Sequence, residues 1–184
     1  MSRHERVVLD GPDGAIELFV ENQEAPQGIA LIAHPHPLFG GTADNKVVTT
    51  LARTFREKGC ITLRPNFRGV GGSVGAHDNG GAETEDLLAV HAWAFEKYGD
   101  LPLYLAGFSF GAFVITRVAK RLSEAGTPAR RIVLVGTAAG FVEGDKWLVR
   151  IYHIHLIDTA GLFGDAGLEV VGNLLHIERD AEIT

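Results

Sequence analysis

The chain has a single cysteine, Cys60, so no disulfide can close within it. No apolar stretch reaches the ~18 residues that a membrane-spanning helix needs. The first residues, Met-Ser-Arg-His-Glu-Arg, carry charge but lead into no apolar core of the kind that marks a secretory leader. Positive charge is in deficit, with 17 Lys and Arg against 23 Asp and Glu and a net −6. That balance argues against non-specific nucleic-acid binding, which needs a basic face to neutralise phosphates, and no Lys/Arg run offers itself to an anionic membrane. A cytoplasmic protein is expected. Repeats, low-complexity tracts and interdomain linkers are also missing, so the 184 residues read as one domain, 1–184.

What is present is an alternation of strand-like and helix-like segments, the mark of an α/β architecture. Val7–Leu9 and Ile16–Val20 flank a Gly/Pro/Asp turn and predict an antiparallel hairpin. Gly28–His34, Cys60–Phe67, Pro102–Ala106 and Arg131–Val135 are short apolar runs, as expected of parallel strands covered on both faces. Between them, Asn45–Lys58, Ala82–Tyr98 and Gly111–Ala125 carry apolar residues at helical spacing. In the second of these, Leu87, Val90, Ala94 and Phe95 are expected to share the buried face. The 23 glycines fall in short clusters, which points to tight turns. The predicted fold is a doubly wound, mostly parallel sheet with an N-terminal antiparallel hairpin and no lid domain.

The central chemical signal is Gly107-Phe108-Ser109-Phe110-Gly111, lying after the strand LPLYLA and before the helical run AFVITRVAKRL. G-x-S-x-G in a strand–turn–helix context is the signature of the nucleophile elbow of α/β-hydrolases. Glycines two residues either side let strand and helix approach, and the helix start aims amides and a positive dipole at the serine. The alternative for the same residues is a turn whose serine merely caps the helix. A second signal is His34-Pro35-His36-Pro37-Leu38-Phe39-Gly40-Gly41-Thr42 at the end of another strand. An oxyanion hole needs two donors. The Phe110 amide is the expected first, and Leu38 the expected second, with Phe39 next, because Pro35 and Pro37 carry no N–H. Its alternative is a rigid loop without catalytic contact.

Three blocks, HPHPLFGGTADNKVV, RPNFRGVGGSVGAHDNGGAETEDL and LAGFSFGA, together resemble a bacterial family of small lidless α/β-hydrolases of the dienelactone-hydrolase type, described as predicted esterases. The resemblance covers residues 28–140 and implies a Ser–Asp–His triad on a mainly parallel sheet. Within the second block, Arg68 is read as fastening loops through Asp78, Glu83 or Asp86, with a place in the site as the other reading.

Beyond Gly140 the sequence departs from the family. Leu148–Ile157 and Leu168–Ile177 are strand-like, but no clean acidic loop or final helix follows. Triad order in this fold is nucleophile, acid, histidine, which nominates Asp158 as acid and His176 as base. A rival reading makes Asp180 the acid and leaves no histidine after it. A divergent or truncated C-terminus would account for the missing motif. An uncovered apolar segment there leads to the expectation of a homodimer concealing Val170, Val171 and Leu174, or of a poorly packed tail.

Two His-x-His pairs, His34/His36 and His153/His155, raise the question of a metal. Proline within the first pair and the lack of a third ligand argue against one. The run Gly69–Gly75 has valine where G-x-G-x-x-G needs its last glycine, so no dinucleotide cofactor is expected. The sequence thus leads to a cofactor-free serine hydrolase (a carboxylic ester hydrolase) cleaving a small ester or thioester through an acyl-enzyme. The alternative is a catalytically impaired binding or scaffold protein on the same fold.

Overall fold

A computed structural model describes residues 3–137 and the strand 155–158. The chain opens with a hairpin of β1 (Arg3–Gly11) and β2 (Gly14–Asn22), paired from Arg3↔Asn22 to Gly11↔Gly14. Only Pro12 and Asp13 form its turn, so the strands run longer than the apolar pattern alone suggests. Pro12 suits that position because it has no ladder amide to lose. β2 then pairs antiparallel with β4 (Cys60–Pro65).

The centre of the sheet is parallel: β4, β3 (Gly28–Ala33), β5 (Leu103–Phe108) and β6 (Arg131–Val135) lie side by side. The full order is β1-β2-β4-β3-β5-β6-β7. β7 (His155–Asp158) runs antiparallel to β6. Of the strand expected over Leu148–Ile157, the described part is β7, which runs in the reverse direction to its neighbour; the rest of that range lies outside the described residues.

Helices cover both faces, which is why β3 is buried at every position. Ile29, Leu31 and Ala33 join a core with α2 (Gly81–Tyr98) and α3 (Phe110–Glu124), contributing Leu87, Val90, Ala94, Val114, Ile115, Val118 and Leu122. Ala30 and Ile32 point the other way, into a core with Val48, Leu51, Ala52 and Phe55 of α1 (Lys46–Glu57). The period-two alternation along one strand thus serves two helical layers. Asn45 caps α1 by accepting from the Val47 amide at 2.9 Å. On α2, Phe95 is 51% exposed rather than buried. The buried stripe runs through Leu87, Val90 and Ala94, and Phe95 lies ~100° round the helix from Ala94.

Two buried ion networks hold the loops at the carboxyl edge of the sheet. Arg68 makes a bidentate pair with Asp86 at 2.9 and 2.8 Å and reaches Asp13 at 2.8 Å. This is the loop-fastening role expected of it, with Asp13 on the hairpin as the unanticipated third member. Burial opposes the guanidinium charge, but the two carboxylates win and raise its proton affinity. Glu17, 4% exposed, accepts from Asn66 Nδ2 and the Gly72 amide, both at 2.7 Å, and pairs with Arg6. Burial works against this carboxylate, yet those hydrogen bonds hold its pKa below the ordinary value. The glycine-rich loop after β4 is thereby clamped to β2. No helix among the described residues is long and apolar enough to cross a membrane.

Candidate active site

β5 ends at Phe108 and α3 begins at Phe110, leaving Ser109 alone at the turn. Its backbone has φ 54° and ψ −116°. Only one other non-glycine among the described residues, Asn79, has positive φ. Asparagine tolerates that region, whereas serine held there costs of order 1–3 kcal/mol and marks a constrained site. The Ser109 amide donates to the Val135 carbonyl at 2.9 Å, and its carbonyl accepts from Phe113. Its side chain makes no capping hydrogen bond to the helix. The helix-cap alternative therefore fails.

Both flanking glycines are required by close approach. A Cβ on Gly107 would stand 2.5 Å from the Gly111 carbonyl oxygen and 2.6 Å from the Ala112 nitrogen. A Cβ on Gly111 would stand 2.4 Å from the carbonyl oxygens of both Ala33 and His34. All four contacts are to backbone, so no side chain can move aside. The second contact also presses the start of α3 onto the end of β3, where the His-Pro-His-Pro loop begins.

That loop is internally wired. His34 is fully buried; its Nε2 accepts from the Phe67 amide at 2.9 Å and its Nδ1 lies 2.7 Å from the Pro35 carbonyl. Accepting at Nε2 places the proton on Nδ1. Burial drives its pKa down to about 4, the Pro35 contact opposing only in part. With both nitrogens committed to backbone, His34 is a neutral strut between the ends of β3 and β4, and it has no lone pair left for a metal. His36 caps a 3-10 turn at Pro37–Phe39, accepting from the Leu38 amide at Nδ1, 3.2 Å. Gly40, with φ 79°, and Gly41 close the loop; a Cβ on Gly41 would stand 2.1 Å from the Pro35 oxygen.

The three sequence blocks therefore converge at the carboxyl edge of the parallel strands, where ligands bind in open α/β sheets. The His36 ring lies 4.8 Å from the Phe110 ring, and His77, from the loop after β4, lies 5.1 Å from it. A strained, uncapped serine on a steric elbow, opposite a rigid loop from the neighbouring strand, is the arrangement of one fold family. The chain belongs to the α/β-hydrolase fold family.

The family profile, described as alpha/beta hydrolase fold, matches residues 38–156. Among solved structures, an alpha-beta serine hydrolase homologue from Coxiella burnetii is 40% identical, with a TM-score of 0.69, covering 74% of this chain and 64% of that one. A serine hydrolase of Xanthomonas campestris, described as without lid, is 38% identical with the same TM-score, covering 77% and 64%. An uncharacterized protein of Rickettsia prowazekii is 39% identical over 121 residues, 65% of this chain and 51% of that one. This hydrolase-fold chain thus spans about half the length of that relative. The dienelactone hydrolase of Anabaena variabilis, 14% identical with a TM-score of 0.62, shares the fold alone.

The expected site residues fare differently. Phe110 is the first residue of α3, where helix amides point out of the N-terminus beside Ser109. Leu38 is on the expected loop, but its amide donates to His36 Nδ1, and the Phe39 amide donates to the His36 carbonyl at 3.1 Å. The prolines restrict donors as expected; the turn they create then commits the remaining amides internally. Asp158 is not brought to Ser109. Because β7 is antiparallel, Asp158 is level with Arg131 at the amino end of β6, while Val135 is level with Phe108 at the elbow. The four residue steps from Arg131 to Val135 amount to ~13 Å along the strand. His176, the rival acid Asp180 and the association surface at Val170, Val171 and Leu174 lie outside the described residues, as does His153.

Glu83 is the residue near the site whose role the sequence understated. In the sequence it stands as one of three candidate partners of Arg68. In the fold it is fully buried, accepting from the Asp78 amide at 2.8 Å and the Gly80 amide at 2.9 Å, with His77 Nδ1 at 2.9 Å. The signal available was its position three residues after Gly80, the spacing of a capping-box acid.

Proposed function

We propose that this chain is a serine hydrolase that cleaves a small carboxylic ester or thioester through an acyl-enzyme. The observation that carries the reading is Ser109 itself, held at φ 54° with no cap bond, on a turn that only Gly107 and Gly111 permit. In this reading Ser109 Oγ attacks the substrate carbonyl carbon as its proton passes to a histidine base. The tetrahedral oxyanion is held by the Phe110 amide at the positive end of α3. Collapse breaks the bond to the alkoxide or thiolate, which leaves with the proton. Water then attacks the acyl-serine, and the carboxylic acid departs as Ser109 recovers its proton. His176 remains the candidate base.

A fluorophosphonate probe tests this directly, because only an activated serine reacts readily with it. Native protein is expected to label at Ser109 and to turn over an activated ester. Ser109→Ala is expected to lose labelling and at least about 10³-fold of turnover. A well-folded native protein that fails to label would refute the hydrolase and favour a binding protein built on this fold. Turnover of the ester by Ser109→Ala at the native rate would refute the role of the serine.

A further inference from the structure

Behind the site stands a polar cluster that the hydrolytic reading does not use. The His77 side chain is 9% exposed, and among the described residues neither of its ring nitrogens makes a regular hydrogen bond. Buried polar groups left unsatisfied call for an explanation, and such groups gather at functional sites. Three neighbours surround the ring. Glu83 Oε1 lies 2.9 Å from Nδ1, off the line of a regular hydrogen bond. The His36 ring lies 4.4 Å away, tilted by 48°. The Phe110 ring closes the third side.

His36 is the link from this cluster to the loop opposite Ser109. Its Nδ1 holds the Leu38 amide, and that bond exists only while Nδ1 keeps a lone pair, so protonating His36 breaks it. The Phe39 ring at 4.9 Å and the Phe110 ring at 4.8 Å carry no formal charge to pair with one on His36. The cluster's carboxylate sits against His77 instead.

We infer that His77, set against Glu83, is a positioning residue that keeps His36 neutral, so that His36 retains the Leu38 amide and fixes the loop facing the nucleophile. The inference rests on the hydrolytic reading only for its kinetic consequence. Two imidazoles this close repel when both are charged. Burial and the facing His77 ring both lower the pKa of His36, while Glu83 works in the opposite direction. Two other acids of this region are committed among the described residues. Asp78 Oδ2 accepts from the Ala82 amide, and Asp86 is paired with Arg68. From α3, Arg117 lies over the Phe113 ring. Removing the His77 imidazole therefore leaves Glu83 facing His36 without its opponent, and His36 should charge more easily.

The experiment uses the whole chain with His77→Phe, which keeps a ring in the space, and His77→Gln, which stays polar but never titrates. In both, nuclear magnetic resonance should show His36 titrating at higher pH than in the native protein. Exchange of the Leu38 amide at pH ~5.5 should be about tenfold faster in both, with little difference at pH ~8. Ester turnover should follow, native-like at the higher pH and reduced at the lower, through kcat with KM unchanged. A purely structural role for His77 would move stability at both pH values and leave the His36 titration where it was. Titration of His36 at the native pH in either folded variant overturns the inference, as does native-like Leu38 exchange at the lower pH. If the native protein turns over no ester, the hydrolytic reading falls, while the titration and exchange measurements still decide the role of His77.

Discussion

Acidification should weaken this fold through His34, and the size of the effect follows from its burial. The ring is fully buried with Nε2 accepting from the Phe67 amide, so a second proton has no place to go. In the unfolded chain the imidazole protonates near its ordinary 6.5; in the folded chain it resists until about 4. Above the unfolded value neither state binds the proton, and the stability is intact. As pH falls below it, only the unfolded state gains the proton, so stability drains away until the folded pKa is reached. The full gap corresponds to about 3 kcal/mol, and most of it, about 2.5 kcal/mol, is gone by pH ~4.5. Against a typical total of 5–15 kcal/mol that is a large share.

Other groups titrate over the same range, so the native curve alone does not isolate this one. His34→Gln does. Its amide oxygen can still accept from Phe67, but it does not titrate, and it gives up the contact with Pro35. The variant should be less stable than native by about 1–2 kcal/mol at neutral pH. That deficit should shrink and then reverse as the pH is lowered, because only the native protein carries the imidazole penalty. Urea unfolding at constant slope, from pH ~8 to ~4.5, measures both curves. Parallel curves would refute the assignment of His34 as a neutral buried strut.

Two further outcomes follow from the elbow. Ser109→Gly should abolish turnover and yet raise stability by about 1 kcal/mol, since glycine accepts φ 54° without the steric penalty that serine bears; thermal melts check the sign. Gly111→Ala should cost about 3 kcal/mol and also reduce fluorophosphonate labelling, because its Cβ must push the start of α3 away from the Ala33 and His34 carbonyls; unchanged stability in denaturant would show that the approach is looser than described.

The elements legible in the sequence were those whose apolar period is enforced by burial. β3, α1 and α3 fall within a residue or two of expectation because Ile29–Ala33, Val48–Phe55 and Val114–Leu122 face packed cores. Ser109 was legible for a different reason: a steric elbow leaves glycine no substitute at positions 107 and 111, so the requirement is written in residue types. Side chains that bond to backbone were harder to read. The sequence argued against a metal at His34 and His36, but no spacing rule shows that the His34 lone pair goes to the Phe67 amide, a partner 33 residues away. Glu83 carries a cap signal, but nothing in the sequence shows that His77 shares the carboxylate. Asp158 misled because a strand's pattern carries no direction. Apolar spacing reads alike from either end, and only the register with β6 places that residue at the far edge.

The same contrast explains how the site holds its shape. Ser109 is strained, and a strained backbone persists only where its surroundings leave it no alternative. Here the surroundings are chiefly backbone: Gly111 against two carbonyls of the β3 end, and the Ser109 amide on Val135 of the next strand. Side-chain packing can relax by changing rotamer, but those contacts can relax only by moving a strand or a helix, which would open the cores on both faces of the sheet. Around this fixed point the loops after β3 and β4 are held by buried polar groups, His34 joining one to the other while Glu17 and Arg68 tie the second to the hairpin. Loops held this way do not tolerate a change of charge at their anchors, although hydrophobic clamps would be indifferent to pH. The rigidity that would let a serine elbow act without reorganising is thereby coupled to the protonation of a few buried side chains. Acid should then loosen the loops facing the nucleophile before the core of the sheet gives way.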